Sequence, residues 1–343
     1  MTPFPSIDVV IPVYNAPALT KRCIDSVVTQ FGSSIQTIHV QNDASDSETR
    51  EMLDSLSYPQ LQIFHAPENQ GYGKSVNEAV ARSTADLVFV LNSDTEIREN
   101  FLPALCAALA ADPELAVISP TEVSPITGTT MESAAQRYLR RPGGYIATYR
   151  LRGYAFLMRR TLFHAVGGLD LQFGRGYYED VDLGRRLIQQ GWRLGEHPDA
   201  IIYHRTSASF GRGKSRRALV EKNRALYFSR YPQAKRNVLL VMGVNTLADL
   251  PVELVHEMER VFQQGGTVLC LSPQPLPQLY CLQMHNHQTN IAEVLKLILT
   301  HRLLRDDKRI SSIWILPAIS STMRTILTIF SRCYRLQWRQ WSI

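Results

Sequence analysis

The stretch Asp86-Leu-Val-Phe-Val-Leu-Asn-Ser-Asp94 joins a wholly apolar run to a polar triplet. Its β-branched and aromatic residues predict a strand that is buried on both faces, as in sheets covered by helices on each side. The polar triplet begins where the strand ends, and open α/β sheets bind their ligands at the carboxyl ends of the strands. The stretch therefore predicts a central strand that leads into a ligand crevice.

Similar apolar runs alternate with helical stretches along the first 235 residues. Strands are predicted at 7–13, 35–40, 61–64, 115–119, 154–158 and 200–203. This alternation is typical of βαβ units and predicts an α/β fold, with a mostly parallel, Rossmann-like nucleotide-binding sheet flanked by helices. Ser45-x-x-Glu48 has the form of a capping box, and a helix is predicted from Ser75 after a glycine loop. Residues 120–152 lack periodicity, which predicts a long irregular segment.

The chain is long enough for two domains. Residues 1–235 are predicted to form the catalytic domain, and residues 236–343 a smaller α/β or helical unit of unassigned role. Five scattered cysteines without a Cys-x-x-Cys pair indicate neither a disulfide framework nor a zinc site, so a cytoplasmic location is expected. The N-terminus shows no secretory signal. The apolar run 310–323 contains Pro317 and is shorter than the roughly 20 residues of a membrane span.

The net charge of +6 is concentrated near the C-terminus. No acidic residue follows Asp307, whereas six Lys and Arg residues do, interleaved with Trp314, Trp338 and Trp341. The pattern indicates a basic interfacial helix on an anionic membrane surface, or else a solvated basic face or a packing helix. No nucleic-acid motif accompanies the charge, so nucleic acid is not expected as a partner. The sequence does not indicate an oligomeric state.

Two polar segments near the first strands have the residue types of a nucleotide site. Asn42-Asp43 follows the second strand and offers an amide and a carboxylate to a pyrimidine base or ribose. The loop from Asn69 to Asn77 contains Gly71 and Gly73 and opens a helix, so its backbone amides are suited to phosphates. It lacks the spacing of a Walker A loop. A plain turn is the alternative for either segment.

Carboxylates also cluster later in the chain. Asp94 follows the central strand and is suited to a divalent cation that bridges two phosphates. Glu179, Asp180 and Asp182 crowd the start of a predicted helix, with more negative charge than capping requires. Asp180 is the preferred candidate for a base that deprotonates a hydroxyl. His204, at the end of a strand, is either a further metal ligand or a structural histidine.

In order along the chain, these motifs resemble those of the family 2 glycosyltransferases of GT-A fold. The matching segments are Val-Ile-Pro-Val-Tyr-Asn15, Asn-Asp43-Ala-Ser, Asn-x-Gly-x-Gly73-x-Ser-x-Asn77, Leu-Asn-Ser-Asp94, Gly167-Gly168-Leu-Asp170 and Glu-Asp180-Val-Asp-Leu183. The resemblance covers about residues 7–232. It is strongest to the bacterial branch that includes rhamnosyltransferase-like enzymes of surface polysaccharide assembly.

The resemblance implies an inverting transferase that uses Mn²⁺ or Mg²⁺. Its donor would be a UDP- or dTDP-sugar, and its acceptor a glycan or lipid-linked glycan at the inner face of the cell membrane. It implies catalytic roles for Asp180 and Glu179 and a metal site at Asp94 and His204. The implied donor nucleotide site comprises Pro12, Tyr14, Asn15, Asp43, Gly71, Gly73, Asn77 and Ser93. The implied acceptor site comprises Asp182, Tyr177 and Tyr178. The family's first metal-motif carboxylate is replaced here by Asn92.

Three other classes of protein are less consistent with these residues. A dinucleotide-dependent oxidoreductase needs Gly-x-Gly-x-x-Gly after the first strand, and residues 12–17 lack it. A sugar-nucleotide pyrophosphorylase needs a Gly- and Arg-rich phosphate loop near the N-terminus, which is also missing. A non-catalytic nucleotide-sugar-binding scaffold of the same fold remains the main alternative, because Asn92 replaces a carboxylate.

Overall fold

A computed structural model describes residues 5–123, 136–205, 214–243, 247–301, 303–317 and 319–342. The chain divides into two compact units. The first comprises Met1–Ala135 and Arg140–Tyr227, and the second comprises Gln136–Leu139 and Phe228–Ile343. Each unit has its own β-sheet and its own core.

The first unit is built on a mixed sheet, which has nine strands among the described residues. The strands are β1 Ile7–Val13, β2 Thr37–Asn42, β3 Leu61–His65, β4 Leu87–Leu91, β5 Thr95–Ile97, β6 Leu115–Val123, β7 Ile146–Thr148, β8 Ala155–Arg159 and β9 Arg193–His204. Their order is β3-β2-β1-β4-β8-β6-β9-β5, and β7 also pairs with β9. Strands β3, β2, β1 and β4 run parallel, and β8 runs antiparallel to β4. The carboxyl ends of β1, β2 and β4 therefore share one edge.

Helices connect the strands of the first unit. They are α1 Pro17–Phe31, α2 Ser47–Asp54, α3 Tyr72–Arg82, α4 Leu102–Ala111, α5 Arg160–Ala165, α6 Glu179–Gln189 and α7 Lys214–Arg230. Two helix starts differ from the sequence prediction. Asp46, not Ser45, caps α2 by accepting a hydrogen bond from the backbone N–H of Thr49 at 2.9 Å. Helix α3 begins at Tyr72, because Gly71 with φ +90° supplies the turn.

Strand β4 is buried on both faces, as its composition predicts. Four of its five residues are fully buried, and Leu87 is 6% exposed. On one face Phe89 packs edge to face with Phe31 and Phe101, with ring centroids 5.8 and 5.9 Å apart. On the other face Val88 and Val90 share a core with residues of α3. This burial fixes the position of Asn92 and Asp94 at the strand end.

Part of the segment predicted to be irregular is ordered into the sheet. Within residues 120–152, β6 continues to Val123 and β7 pairs antiparallel with β9. Residues 124–135 lie outside the described residues. The extension of β6 places Glu122 beside Ile202 of β9, two residues from His204.

The second unit is a parallel α/β unit. Its strands are β10 Asn237–Val241, β11 Thr267–Ser272, β12 Met284–Gln288, β13 Ser312–Ile315 and β14 Gln337–Gln340, and its helices are α8 Val252–Gln263, α9 Ile291–His301 and α10 Ser321–Tyr334. The strand order is β12-β11-β10-β13-β14, and all pairs are parallel. The chain thus crosses from one side of β10 to the other between β12 and β13.

Of the alternatives for the C-terminal charge, the interfacial helix does not include Trp314 and Trp341. Trp314 lies in the central strand β13 and is 2% exposed, and Trp341 packs against it with ring centroids 5.7 Å apart. The apolar run 310–323 contains this buried strand, which hydropathy alone does not distinguish from a short membrane segment. Among the described residues, no helix has the length and apolar character needed to cross a membrane.

Candidate active site

Asp43 holds the glycine loop against the end of β2. Its Oδ1 accepts a hydrogen bond from the backbone N–H of Gln70 at 2.6 Å, and its Oδ2 accepts one from Gly71 at 2.8 Å. A Cβ atom on Gly71 would lie 2.6 Å from Cα of Arg175, so only glycine fits there. The contact of Asp43 with a pyrimidine base stays a prediction. Anchoring of the loop is a role that the sequence analysis did not identify.

The residues predicted to line the nucleotide pocket lie around the ends of β1 and β2. Pro12 is buried within β1, whereas Tyr14 and Asn15 are partly exposed just beyond its end. Asn15 has φ 59°, and its backbone N–H donates to the hydroxyl of Ser45 at 2.8 Å. These positions share the edge that carries Asp43, because β1 and β2 pair in parallel up to Val13 and Asn42.

Tyr72 connects the glycine loop to the segment at Gly153. Its hydroxyl donates a hydrogen bond to the carbonyl of Gly153 at 2.7 Å. Burial raises the pKa of Tyr72 well above its usual range, and the negative charges of Glu179, Asp180 and Asp94 raise it further. Tyr72 directly follows the loop anchored by Asp43, so this hydrogen bond links that loop to the segment that also contacts Asp180.

Glu179 and Asp180 occupy the first turn of α6. Oδ2 of Asp180 accepts a hydrogen bond from the backbone N–H of Gly153 at 2.6 Å, and burial raises the pKa of this carboxyl. Glu179 is 6% exposed, and its Oε2 has no hydrogen-bond partner among the described residues. Burial, together with the neighbouring Asp180, raises the pKa of Glu179 to about 8. Burial therefore raises the pKa of both carboxyls of the pair.

A strained turn precedes this pair, and Asn223 holds it. Tyr177 and Tyr178 have φ values of 75° and 78°, which side-chain-bearing residues rarely adopt. The side-chain amide of the fully buried Asn223 in α7 donates to the carbonyls of Phe173, Gly176 and Tyr177 at 2.6, 2.8 and 3.1 Å. The sequence analysis missed Asn223, whose only signal is a polar residue on the buried side of a basic helix.

Three other predicted site residues make contacts with the protein itself. Asp182 is fully buried and accepts a hydrogen bond from Arg186 at 2.7 Å, which argues against contact with an acceptor sugar. Asn77 uses both ends of its amide on the backbone of Leu169, at 2.8 and 2.9 Å. The hydroxyl of Tyr177 accepts from Arg216 at 2.8 Å. Within α3, Gly73 lies close to Leu169 and Glu179.

Asp94 and His204 lie together where β5 pairs with β9. Nε2 of His204 is 3.1 Å from Oδ1 of Asp94, and its Nδ1 is 2.8 Å from Oε1 of Glu122. Burial alone would lower the pKa of His204, but its hydrogen bonds to Asp94 and Glu122 raise it to about 9. The sequence analysis also missed Glu122, which lies 82 residues before its partner.

The donor atoms at this point suit a divalent cation that takes its remaining ligands from elsewhere. Asp94 and Nε2 of His204 face one another, and the nearby Oδ1 of Asn92 is buried with no hydrogen-bond partner among the described residues. Glu122 contacts the other edge of the imidazole. No group of three or more His, Cys, Asp or Glu that could hold a metal occurs in the part of the chain that is described. Diphosphate oxygens and water would have to complete the shell.

The first unit matches a known family. Residues 8–168 match the family model described as glycosyl transferase family 2. This part of the chain is a family 2 glycosyltransferase domain. Its relatives include the N-acetylglucosaminyl-diphospho-decaprenol L-rhamnosyltransferase of Mycobacterium tuberculosis, 26% identical over 60% of this chain and 78% of the relative. The pre-mycofactocin glycosyltransferase of the same organism is 28% identical over 58% of this chain and 42% of its own length.

Solved structures confirm the prediction of a GT-A fold for the transferase domain. The mannosyltransferase PcManGT of Pyrobaculum calidifontis, solved with GDP-Man and Mn²⁺, matches with a TM-score of 0.52 and 18% identity, over 67% of this chain and 64% of that chain. GalNAc-T7, solved with UDP, GalNAc and Mn²⁺, matches with a TM-score of 0.51 and 14% identity, over 67% of this chain and 52% of that chain.

Proposed function

We propose that the protein is an inverting glycosyltransferase that moves a sugar from a UDP- or dTDP-sugar to a hydroxyl of a glycan or lipid-linked glycan in surface polysaccharide synthesis. The single observation that carries this proposal is the chain of contacts that joins Asp180 to Gly153, Gly153 to the hydroxyl of Tyr72, and the loop before Tyr72 to Asp43. In-line displacement needs a base and a charge-neutralising site on opposite sides of one sugar carbon, and Asp180 and Asp94 are the residues proposed for these two roles.

Asp180 is the proposed base. The residue is partly exposed, and the hydrogen bond from Gly153 fixes Oδ2 of its carboxylate, which is proposed to take the proton of an acceptor hydroxyl. The buried Glu179 beside it has the raised pKa of a carboxyl that stays protonated near neutral pH. A protonated Glu179 avoids a second negative charge next to Asp180 and is able to donate a hydrogen bond to a sugar oxygen.

Asp94 and His204 are the residues proposed to hold Mn²⁺ or Mg²⁺, supported by the hard oxygen and imidazole nitrogen that face one another there. The cation would take the place of the proton that lies between Nε2 of His204 and Asp94, because a ligating imidazole must be neutral. The cation, when bound, neutralises negative charge on the departing nucleoside diphosphate. Glu122 would fix the imidazole ring with Nε2 turned towards Asp94. The orphaned amide oxygen of Asn92 would accept a hydrogen bond from a ribose hydroxyl or a bound water.

The acceptor class is proposed from the relatives. The M. tuberculosis rhamnosyltransferase is named for a decaprenol-linked substrate, and an N-acetylglucosaminyltransferase of Rhizobium meliloti is 26% identical over 58% of this chain and 51% of its own length. We propose a lipid-linked glycan acceptor at the inner face of the cell membrane.

A donor panel tests this function. UDP- and dTDP-sugars are added to the full chain with Mn²⁺, Mg²⁺ or EDTA, and donor binding is measured by thermal shift. Sugar transfer and slow donor hydrolysis are then measured with the donors that bind. Metal-dependent stabilisation together with turnover by one donor class supports the proposal. Binding without any turnover, across the panel and with lipid-linked acceptors, would instead support the scaffold alternative.

A further inference from the structure

Helix α9 of the second unit is apolar on its inner and its outer side. Val294 and His301 are buried, and Leu297 and Ile298 pack against the core of the unit. On the outside, an apolar stripe is exposed, with fractional exposures of 46%, 44%, 75% and 84%; its members are Ile291, Leu295, Leu299 and Leu303. The regular spacing of four residues along α9 places Ile291, Leu295 and Leu299 on one face. Leu303 continues the spacing just after the helix.

A stripe of this kind indicates a surface that binds to another apolar surface. Single exposed leucines are common on soluble proteins, but four at a helical repeat expose contiguous apolar area to water. A typical surface helix has one apolar face, which it buries against its own domain. Helix α9 buries one apolar face in this way and exposes a second one to solvent. The sequence therefore retains hydrophobic residues that the core of the second unit does not need.

The charge around the stripe identifies the kind of partner. Residues 291–343 contain nine Lys or Arg and three Asp or Glu, a net charge of +6, which equals that of the whole chain. Lys296 lies on α9 itself and is exposed, as are Arg332 and Arg335 at the end of α10. Anionic headgroups attract such a region, at about 1 kcal/mol per basic residue near the membrane surface. A second copy of the chain would instead bring two positively charged regions together.

We infer that α9 docks the protein on an anionic lipid surface, with the apolar stripe inserted at the boundary between headgroups and acyl chains. From Ile291 to Leu303 the stripe would extend about 20 Å as a helix, too short to cross a hydrocarbon core of about 30 Å, so α9 lies in the plane of the interface. This docking is independent of the proposed sugar transfer, since none of the stripe residues belongs to the transferase domain.

Vesicle flotation with the full chain tests the inference. Vesicles of phosphatidylglycerol and phosphatidylethanolamine are compared with phosphatidylcholine vesicles at low and high salt. The wild-type protein is expected to float with the anionic vesicles and to be released by salt. The double variant Leu295→Gln/Leu299→Gln is expected to bind at least tenfold more weakly, and Lys296→Glu to bind more weakly at low salt only. Both substitutions are on exposed positions, and unchanged Tm values establish that the variants fold.

The control is Val252→Gln on α8, where an apolar side chain of the same unit is 64% exposed but outside the stripe. It is expected to bind vesicles like the wild type. Equal flotation of the Leu295→Gln/Leu299→Gln variant and the wild type would overturn the inference. The inference would also be overturned if the wild-type protein did not bind anionic vesicles but formed dimers that this variant disrupts. The stripe would then be an interface with a second copy of the chain. Donor binding and hydrolysis by the variant, measured without vesicles, keep this result separate from the transferase proposal.

Discussion

Asp180 and Gly153 are joined by a 2.6 Å hydrogen bond from the backbone N–H of the glycine to Oδ2 of the aspartate. A Cβ atom on Gly153 would lie 3.0 Å from Cβ of Asp180, so a side chain at this position would have to displace the aspartate slightly. The carbonyl of the same glycine accepts the hydroxyl of Tyr72. Gly153 thus connects the proposed base to the side chain of Tyr72.

Asp180→Asn is expected to reduce transfer by a factor of 10² to 10⁴, because an amide does not take a proton from the acceptor while its oxygen still accepts from Gly153. Donor binding, measured by calorimetry, should stay within about twofold of the wild type. Glu68→Gln, at an exposed carboxyl, is the control and should leave both the transfer rate and the donor affinity unchanged. Undiminished transfer by Asp180→Asn would remove the base assignment.

Asn223→Ala is expected to lower kcat more than it changes the Kd for the donor nucleotide, since the turn before Glu179 loses the amide that bonds to three carbonyls. Removing a buried donor from several acceptors should also destabilise the protein by about 2–4 kcal/mol, measured by urea unfolding. Lys222→Ala, at an exposed neighbour on α7, is the matched control. A fall in stability with kcat intact would restrict Asn223 to a purely structural role.

Glu122→Ala is expected to weaken Mn²⁺ binding in the presence of UDP by 10–100-fold, because the ring of His204 loses the acceptor that orients it. Free Mn²⁺ measured by electron paramagnetic resonance reports this without any need for turnover. Glu122→Gln keeps an acceptor oxygen, so its Mn²⁺ affinity should fall less than that of Glu122→Ala. Glu96→Ala on β5, whose carboxylate pairs with Arg98, serves as the control. Equal Mn²⁺ affinity in Glu122→Ala and the wild type would contradict this role.

Glu179→Gln is expected to change the pH dependence of stability. The pKa of Glu179 is raised from 4.5 to about 8 in the folded protein, so the folded chain keeps a proton that the unfolded chain releases. The stability that this group contributes is fully present below pH 4.5 and is lost as pH rises towards 8. The Tm of Glu179→Gln relative to the wild type should therefore increase between pH 5 and pH 8.

The exposed Glu99→Gln provides the reference, and its Tm difference from the wild type should not vary with pH. A constant difference for Glu179→Gln as well would mean that Glu179 titrates normally in the folded protein.

Asp43→Ala is expected to destabilise the protein by about 3–5 kcal/mol, because the backbone N–H groups of Gln70 and Gly71 lose a shared carboxylate acceptor. The affinity for the nucleotide should fall together with the stability, whichever group of the nucleotide the loop contacts. The comparison variant is Asp46→Ala, which removes only the cap of α2 and should destabilise the protein much less. Similar unfolding free energies for the two variants would show that the loop does not depend on Asp43.

The sequence determined the order of strands and helices in the transferase domain, the buried character of β4 and the family, because apolar periodicity and the order of short motifs are local properties that survive low overall identity. The sequence also predicted that Asp43, Asp94 and Asp180 lie at the ends of strands and helices. Only the tertiary structure decided what those side chains contact. The partnership of His204 with Glu122 and the three bonds made by Asn223 join segments dozens of residues apart.

The same limit explains the tryptophans near the C-terminus and the apolar stripe on α9. Composition shows that arginine and tryptophan alternate there, but a strand in the centre of a parallel sheet and a surface helix both carry apolar residues. Which of them faces water depends on the packing of the whole unit, and that packing buries Trp314 and leaves Leu299 exposed. Burial is a property of the assembled core, so no local pattern fixes it.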